Sequence, residues 1–260
     1  MKTNFHTHNY RCGHAVGNVE DYVKVAVKAG YTELGISDHA PLPAYYFDRM
    51  QMNELESYLE EIEESQNKYG KQIKIYKSLE IEYFPEFQNY YDELKNKLDY
   101  IILGLHAFRK SEGDKDKIYN AWTIKNEEDI IFYAKYMAEA VKSGNFDYIA
   151  HPDLYMINYR EWTSACVEAA HIICRAAEET DLPLEVNANG IRKTLARHPE
   201  WDRYMYPYKE FWEIVSQYNI RTIIGSDAHD YNEMEDEPME MARKFAEDLK
   251  LNVIETIFKK

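Results

Sequence analysis

The sequence predicts an α/β chain whose parallel strands curl into a TIM-like barrel, and three observations carry that expectation. Short apolar or β-branched runs alternate with longer amphipathic stretches, a pattern that calls for parallel strands joined by right-handed helical crossovers. No Pro/Gly/Ser-rich linker breaks the alternation, so the 260 residues (30.9 kDa) read as one domain, 1–260. Periodicity does not separate an open doubly wound sheet from a closed barrel, and the third observation favours closure. Metal-capable side chains fall where the strands should end, and only a barrel gathers every strand end around one mouth.

The strand candidates are residues 2–6, 33–37, 73–82, 100–105, 147–150, 184–187 and 222–225, seven in all. Helical stretches at 19–29, 54–69, 86–97, 127–143, 164–180, 208–218 and 233–249 fill the gaps. In the second, Leu55, Leu59 and Ile62 form an inward stripe, Asn53 with Glu56 resembles a capping box, and Gly70 is placed to stop the helix. In the fourth, Ile130, Ala134, Met137 and Val141 repeat the stripe and Gly144 follows it.

An apolar content of 45% supports a sizeable core and excludes disorder. No apolar run approaches the ~18 residues of a span. Residues 1–10 carry no apolar signal core, so a soluble, cytoplasmic chain without a membrane partner is expected. Three cysteines, Cys12, Cys166 and Cys174, are too few and too irregular for a disulfide framework or a zinc knuckle. With 46 acidic against 31 basic residues, the formal charge of −15 repels phosphate backbones, which argues against a nucleic-acid partner. A small anionic substrate survives that argument, because metal ions or arginines can invert the potential inside one pocket.

Seven of the nine histidines occupy corresponding positions. The first strand ends in His6-Thr7-His8, with His14 soon after, and the second ends in Asp38-His39. The third carries Glu80 and Glu82, the fourth and fifth lead to His106 and His151, and the seventh leads to Asp227-Ala228-His229. On an extended segment the first and third residues point to one side, so His-X-His and Asp-X-His form two jaws of a clamp. A lone strand-end histidine is more often a structural hydrogen-bond donor. Recurrence at the ends of six strands favours a shared metal site. Imidazole plus carboxylate, without a thiolate cluster, suits zinc, manganese or iron. His171, inside a helical stretch, and His198, in a loop, stand outside the pattern, and Cys12 reads as a packed small residue.

Other hydrolytic chemistries lack their residues. There is no Cys-X5-Arg loop, no Gly-X-Ser-X-Gly elbow and no Gly-rich phosphate loop, and Asp114-Lys115-Asp116 follows no apolar strand. Arg197-His198-Pro199 is not the Arg-His-Gly of phosphohistidine enzymes. A metal-bound water is the expected nucleophile.

These residues resemble the polymerase and histidinol phosphatase (PHP) superfamily, whose motifs are matched in order by His6-X-His8, His14, Asp38-His39, Glu80, His106, His151 and Asp227-X-His229. Residues 4–14, 80–84 and 185–190 are similar to its histidinol-phosphatase branch. The resemblance implies a distorted seven-stranded (β/α) barrel with three divalent metal ions, zinc, manganese or iron, alone or mixed. It implies one ion on His6, His8, Glu80 and Asp227, a second on His14, His39 and His229, and a third on Glu80, His106 and His151, with Glu80 bridging two of them. It also implies hydrolysis of L-histidinol phosphate in histidine biosynthesis, by attack of a metal-bridging hydroxide on phosphorus.

Arginine offers a planar fork to phosphoryl oxygens. Arg160, Arg192 and Arg197 follow strand ends. Arg160 and Arg197 are favoured as phosphate ligands with Arg192 in reserve, against the alternative of surface salt bridges. Asp38 is expected either to protonate the leaving oxygen or to orient a ligand histidine. Glu82, with Tyr83, Phe84, Tyr155 and Tyr159, would suit a phosphorylated amine. Two competing readings are a PHP phosphoesterase for another small phosphate or nucleotide, and a structural or catalytically silent metal-binding module. No pattern in the sequence sets an oligomeric state.

Overall fold

The computed structural model describes residues 1–43, 47–110 and 117–258. Its strands are β1 (Thr3–Asn4), β2 (Glu33–Ile36), β3 (Lys74–Ile81), β4 (Tyr100–Leu103), β5 (Ala107–Phe108), β6 (Tyr119–Asn120), β7 (Tyr148–Ile149), β8 (Leu184–Asn187), β9 (Arg221–Gly225) and β10 (Asn252–Val253). Eight of them form one parallel sheet in the order β1-β2-β3-β4-β7-β8-β9-β10, and β5 and β6 make a short antiparallel ribbon. The sheet therefore has eight strands and not the expected seven. The addition is β10, two residues long and exposed at both, so it carries no apolar alternation from which a strand could be read.

The sheet curls until segments from its two sides meet. Thr7 and Ala228, just beyond β1 and β9, form a parallel bridge in which the His8 N–H donates to Ala228 O at 2.9 Å. At the opposite end β10 lies along β9, and Glu255 accepts hydrogen bonds from the amino terminus and the Thr3 hydroxyl.

Helices α1 (Val19–Lys28), α2 (Leu55–Tyr69), α3 (Gln88–Lys95), α4 (Glu127–Lys142), α5 (Ser164–Thr180), α6 (Ala188–Arg197), α7 (Lys209–Val215) and α8 (Glu237–Asp248) occupy the connections. The expected stripes are buried: Leu55, Leu59 and Ile62 on α2, and Ile130, Ala134, Met137 and Val141 on α4. In place of an Asn53–Glu56 box, a short 3-10 turn precedes α2 and the Gln51 N–H donates to Glu54 Oε2 at 2.8 Å. Helix α6 is absent from the sequence expectation, because Asn187-Ala188-Asn189-Gly190 has the composition of a turn. It forms because the Asn187 side chain caps the Asn189 N–H at 2.9 Å.

Apolar residues form two clusters. The larger joins the helix stripes to strand residues such as Leu34, Leu79, Leu103 and Leu184. The smaller, Phe5, Tyr76, Tyr100, Ile102, Tyr148, Ala150 and Ile223, fills the barrel interior near the amino ends of the strands. Alternation along β3 places Tyr76 and Glu80 on the same face, about 13 Å apart at 3.3 Å per residue. The aromatic plug and the polar mouth are thus two levels of one lumen. Among the described residues, no helix is long and apolar enough to cross a membrane.

Candidate metal centre

All nine expected ligands converge at the carboxyl ends of the strands. The Nε2 atoms of His6 and His8 lie 3.4 and 3.6 Å from Glu80 Oε2, and 3.7 and 3.0 Å from Asp227 Oδ1. Glu80, near the end of β3, reaches three further rings: His39 Nδ1 at 3.1 Å, His151 Nε2 at 2.8 Å and His106 Nε2 at 3.6 Å. A 3-10 turn at Tyr10–Cys12, ended by Gly13 at φ 81°, projects His14 until its Nε2 is 3.0 Å from that of His229.

An outer layer of acceptors aims these rings. His6 Nδ1 faces Glu185 Oε1 at 2.7 Å, His8 Nδ1 faces Asp38 Oδ1 at 3.3 Å, and His106 Nδ1 faces Glu82 Oε1 at 3.1 Å. An ionised carboxylate only accepts, so Nδ1 carries a hydrogen and Nε2 is the atom that turns a lone pair inward once it is unprotonated. The Nδ1 atoms of His14 and His229 face the carbonyls of Cys12 and Asp227, each at 3.0 Å. Their Nε2 atoms therefore oppose two lone pairs at 3.0 Å, a repulsion that a shared cation relieves.

The backbone makes room for this layer. A Cβ at Gly104 would lie 2.2 Å from Glu80 Oε1, and one at Gly225 would lie 1.8 Å from Glu185 Oε1. His151 (φ 30°) and Asp227 (φ 45°) sit in the left-handed region, at a cost of order 1–3 kcal/mol each. That strain is located at two of the inward-aimed ligands.

The donor set fits divalent ions. Buried polar atoms normally have hydrogen-bond partners, yet among the described residues His6 Nε2, Glu80 Oε2 and His151 Nδ1 make no hydrogen bond. Burial alone would raise the Glu80 and Asp227 carboxyls, but the surrounding imidazoles outweigh it and hold both well below the ordinary range. Burial drives the His39 and His229 rings well below theirs, which keeps them neutral. At His6 and His8 the neighbouring carboxylates outweigh burial, lifting His8 to about 9, so an ion bound there displaces protons.

Above the cluster opens a cavity of 520 Å³, whose walls include His14, His39, His106, Asp227 and His229. Of the two favoured arginines and the reserve, Arg192, only Arg197 lines it. Arg160 stacks on Trp201 at 4.3 Å and faces a separate cavity, and Arg192 pairs with Asp236 at 2.8 Å. Asp38 is wholly buried behind His8, where its Oδ1 also accepts from the His39 N–H at 2.8 Å. Glu82 lines the cavity, but Arg49 takes both its oxygens, at 2.9 and 2.8 Å. Tyr83, Phe84 and Tyr155 belong to the core and Tyr159 packs against it; the rings at the mouth are Phe47, Trp122 and Tyr206.

The PHP domain family model matches residues 4–189. The chain belongs to the PHP domain family. Among curated relatives of this PHP chain, the "Probable histidinol-phosphatase" of Deinococcus radiodurans is 27% identical, over 94% of the chain and 90% of that protein. The histidinol-phosphatase of Bacillus subtilis is 25% identical, over 88% of the chain and 94% of its own length. A crystal structure of histidinol phosphate phosphatase from Lactococcus lactis, complexed with zinc, L-histidinol and phosphate, superposes with a TM-score of 0.72 at 18% identity. That superposition covers 97% of this chain and 95% of the other, and it establishes a shared PHP fold.

Three functional residues of this PHP chain escape sequence reasoning. Glu185 had a signal: in Leu184-Glu185-Val186-Asn187 the polar residues alternate inward, and all four are buried. Lys193 had none, because α6 was not expected; it lines the mouth with Nζ 3.4 Å from Tyr206 Oη, and burial lowers its pKa. Arg49 lies far along the chain from Glu82, and only the fold pairs them. Cys12 Sγ comes within 4.8 Å of the His14 and His229 rings and donates to Asn9 O at 3.2 Å, while His171 bonds Tyr218 and His198 stacks on Trp201.

Proposed function

We propose that this chain is a metal-dependent phosphomonoesterase that hydrolyses L-histidinol phosphate to L-histidinol and inorganic phosphate, a step of histidine biosynthesis. The observation that carries the reading is the pair of imidazoles, His14 and His229, presenting lone pairs to each other beside a carboxylate that reaches five further rings. The two curated relatives support the same substrate. Three ions are assigned: to His6, His8, Glu80 and Asp227; to His14, His39 and His229; and to Glu80, His106 and His151. Divalent ions held there supply a nucleophile usable near neutral pH and positive charge for phosphoryl oxygens.

The chain's own side chains do the rest. Lys193 and Arg197, one turn apart on α6, are placed to hold phosphoryl oxygens at the wall of the mouth. Asp38, Glu82 and Glu185 fix the Nδ1–H tautomers of His8, His106 and His6. From its position behind His8, Asp38 acts by orienting that ring, and Arg192 braces α6 through Asp236. Phe47, Trp122 and Tyr206 shield the substrate from bulk water.

The test is turnover by metal-depleted protein before and after adding back zinc or manganese, on L-histidinol phosphate and a nucleotide panel. Activity restored by metal and highest on L-histidinol phosphate is expected. Equal or faster nucleotide turnover would move the assignment to a nucleotide phosphoesterase. Lost stability with no activity at any metal would leave a structural site.

A further inference from the structure

Three carboxylates line the mouth: Asp48, Glu82 and Asp227. Glu82 is held by both Arg49 nitrogens at 2.9 and 2.8 Å and by His106 at 3.1 Å. The Asp227 oxygens are engaged by Asn187 and Asn189, each at 3.1 Å, and by His8 at 3.0 Å. Asp48 is exposed, and among the described residues no cation lies within 4 Å of its carboxylate. Its backbone, at φ 53°, is left-handed, a conformation aspartate tolerates better than most residues.

The position of Asp48 gives the mouth a polarity. It sits in the β2–α2 connection, whereas Lys193 and Arg197 sit on α6, directly after β8. In the curled sheet β3, β4 and β7 separate β2 from β8 one way, and β1 and β9 separate them the other way, so the two segments rise from opposite walls. Among the described residues, one wall therefore presents cations without carboxylate partners and the other a carboxylate without a cation partner, with the candidate ligand cluster between them. A ligand with a phosphate at one end and a cation at the other matches that field; a simple alkyl phosphate does not.

We propose that Asp48 binds the ammonium group of the substrate, so that the mouth selects phosphate monoesters of amino alcohols over those without an amine. The inference rests on the phosphatase reading above for its substrate and on Asp48 alone for its selectivity. It moves the amine-binding role from Glu82, which is neutralised by Arg49, to a residue with no competing cation.

The experiment compares kcat/KM for L-histidinol phosphate with that for its analogue lacking the amine, 3-(imidazol-4-yl)propyl phosphate. Metal-loaded wild-type protein, Asp48→Asn and Asp48→Glu are measured. Wild type should favour the amine, and Asp48→Asn should cut that preference about tenfold, chiefly through KM, as expected for one charge-assisted contact. Asp48→Glu should restore part of it. An unchanged preference in Asp48→Asn overturns the proposal. If wild type hydrolyses neither ester, the phosphatase reading fails, and calorimetric titration with L-histidinol decides Asp48 separately. Binding weakened at least fivefold in Asp48→Asn supports the proposal; equal binding, or none by wild type, overturns it.

Discussion

The two levels of the barrel lumen treat polar atoms in opposite ways. Near the amino ends of the strands, rings are buried and their hydroxyls are satisfied: Tyr100 and Tyr148 both donate to Phe5 O, and Tyr76 donates to Glu33. At the carboxyl ends, equally buried atoms such as His6 Nε2, Glu80 Oε2 and His151 Nδ1 make no hydrogen bond among the described residues. The same alternating pattern builds both levels, so burial alone does not distinguish packing from chemistry. What distinguishes them is whether the polar atoms are spoken for by the chain itself. The lower level holds the fold together and the upper one is built for something that comes from outside.

Mutations should separate the two levels, and the largest effect is expected above. Asp227→Ala should reduce turnover of L-histidinol phosphate to background and lower the bound metal, while leaving the metal-free chain folded by circular dichroism. Full activity would sink the distinction. Glu185→Gln should weaken metal binding about 10- to 100-fold, the usual cost of removing a partner that orients a ligand histidine. Metal-buffer titration measures this, and unchanged affinity would show that Glu185 acts only in packing.

At the lower level, Tyr148→Phe removes one of the two donors to Phe5 O, and about 1 kcal/mol of stability should be lost. Urea denaturation reads that loss, and kcat/KM should stay at the wild-type value. A reduced kcat/KM would mean that the levels are coupled. The smallest effect is expected outside both levels, at Glu235 before α8. There partial burial would raise the Glu235 carboxyl, but bonds from Arg243, Lys2 and Tyr31 outweigh it and hold it at about 2. A depressed carboxyl contributes stability above its unfolded value of 4.5 and loses it as pH falls toward 2. Between those limits the Tm of Glu235→Gln should fall less steeply than that of wild type.

The upper level was legible in the sequence, because its metal-capable residues fall at or near strand ends; the aromatic level below it was not singled out. Strand-end recurrence pointed to a shared metal site, and the resemblance to the PHP superfamily implied the nine candidate ligands that the fold brings together. What escaped was set by tertiary context. Strand β10 is too short to show a pattern, and α6 is masked by turn-forming residues that its cap and neighbours override. Arg160 and Arg192 share the residue type of Arg197, but the stacking surface of Trp201 and the carboxylate of Asp236 claim them. Glu82 looked available for an amine only because Arg49 is distant in sequence.

The bridge between Thr7 and Ala228 joins parts of the chain that lie far apart in sequence. His6 and His8 are made well before Asp227 and His229, so the two jaws of the clamp appear at different times in synthesis. Such distant pairings form late in folding. A nascent chain that has not reached His229 can offer fragments of a chelator but not the finished cage. A molecule cut before Asp227 would lack one jaw of that cage.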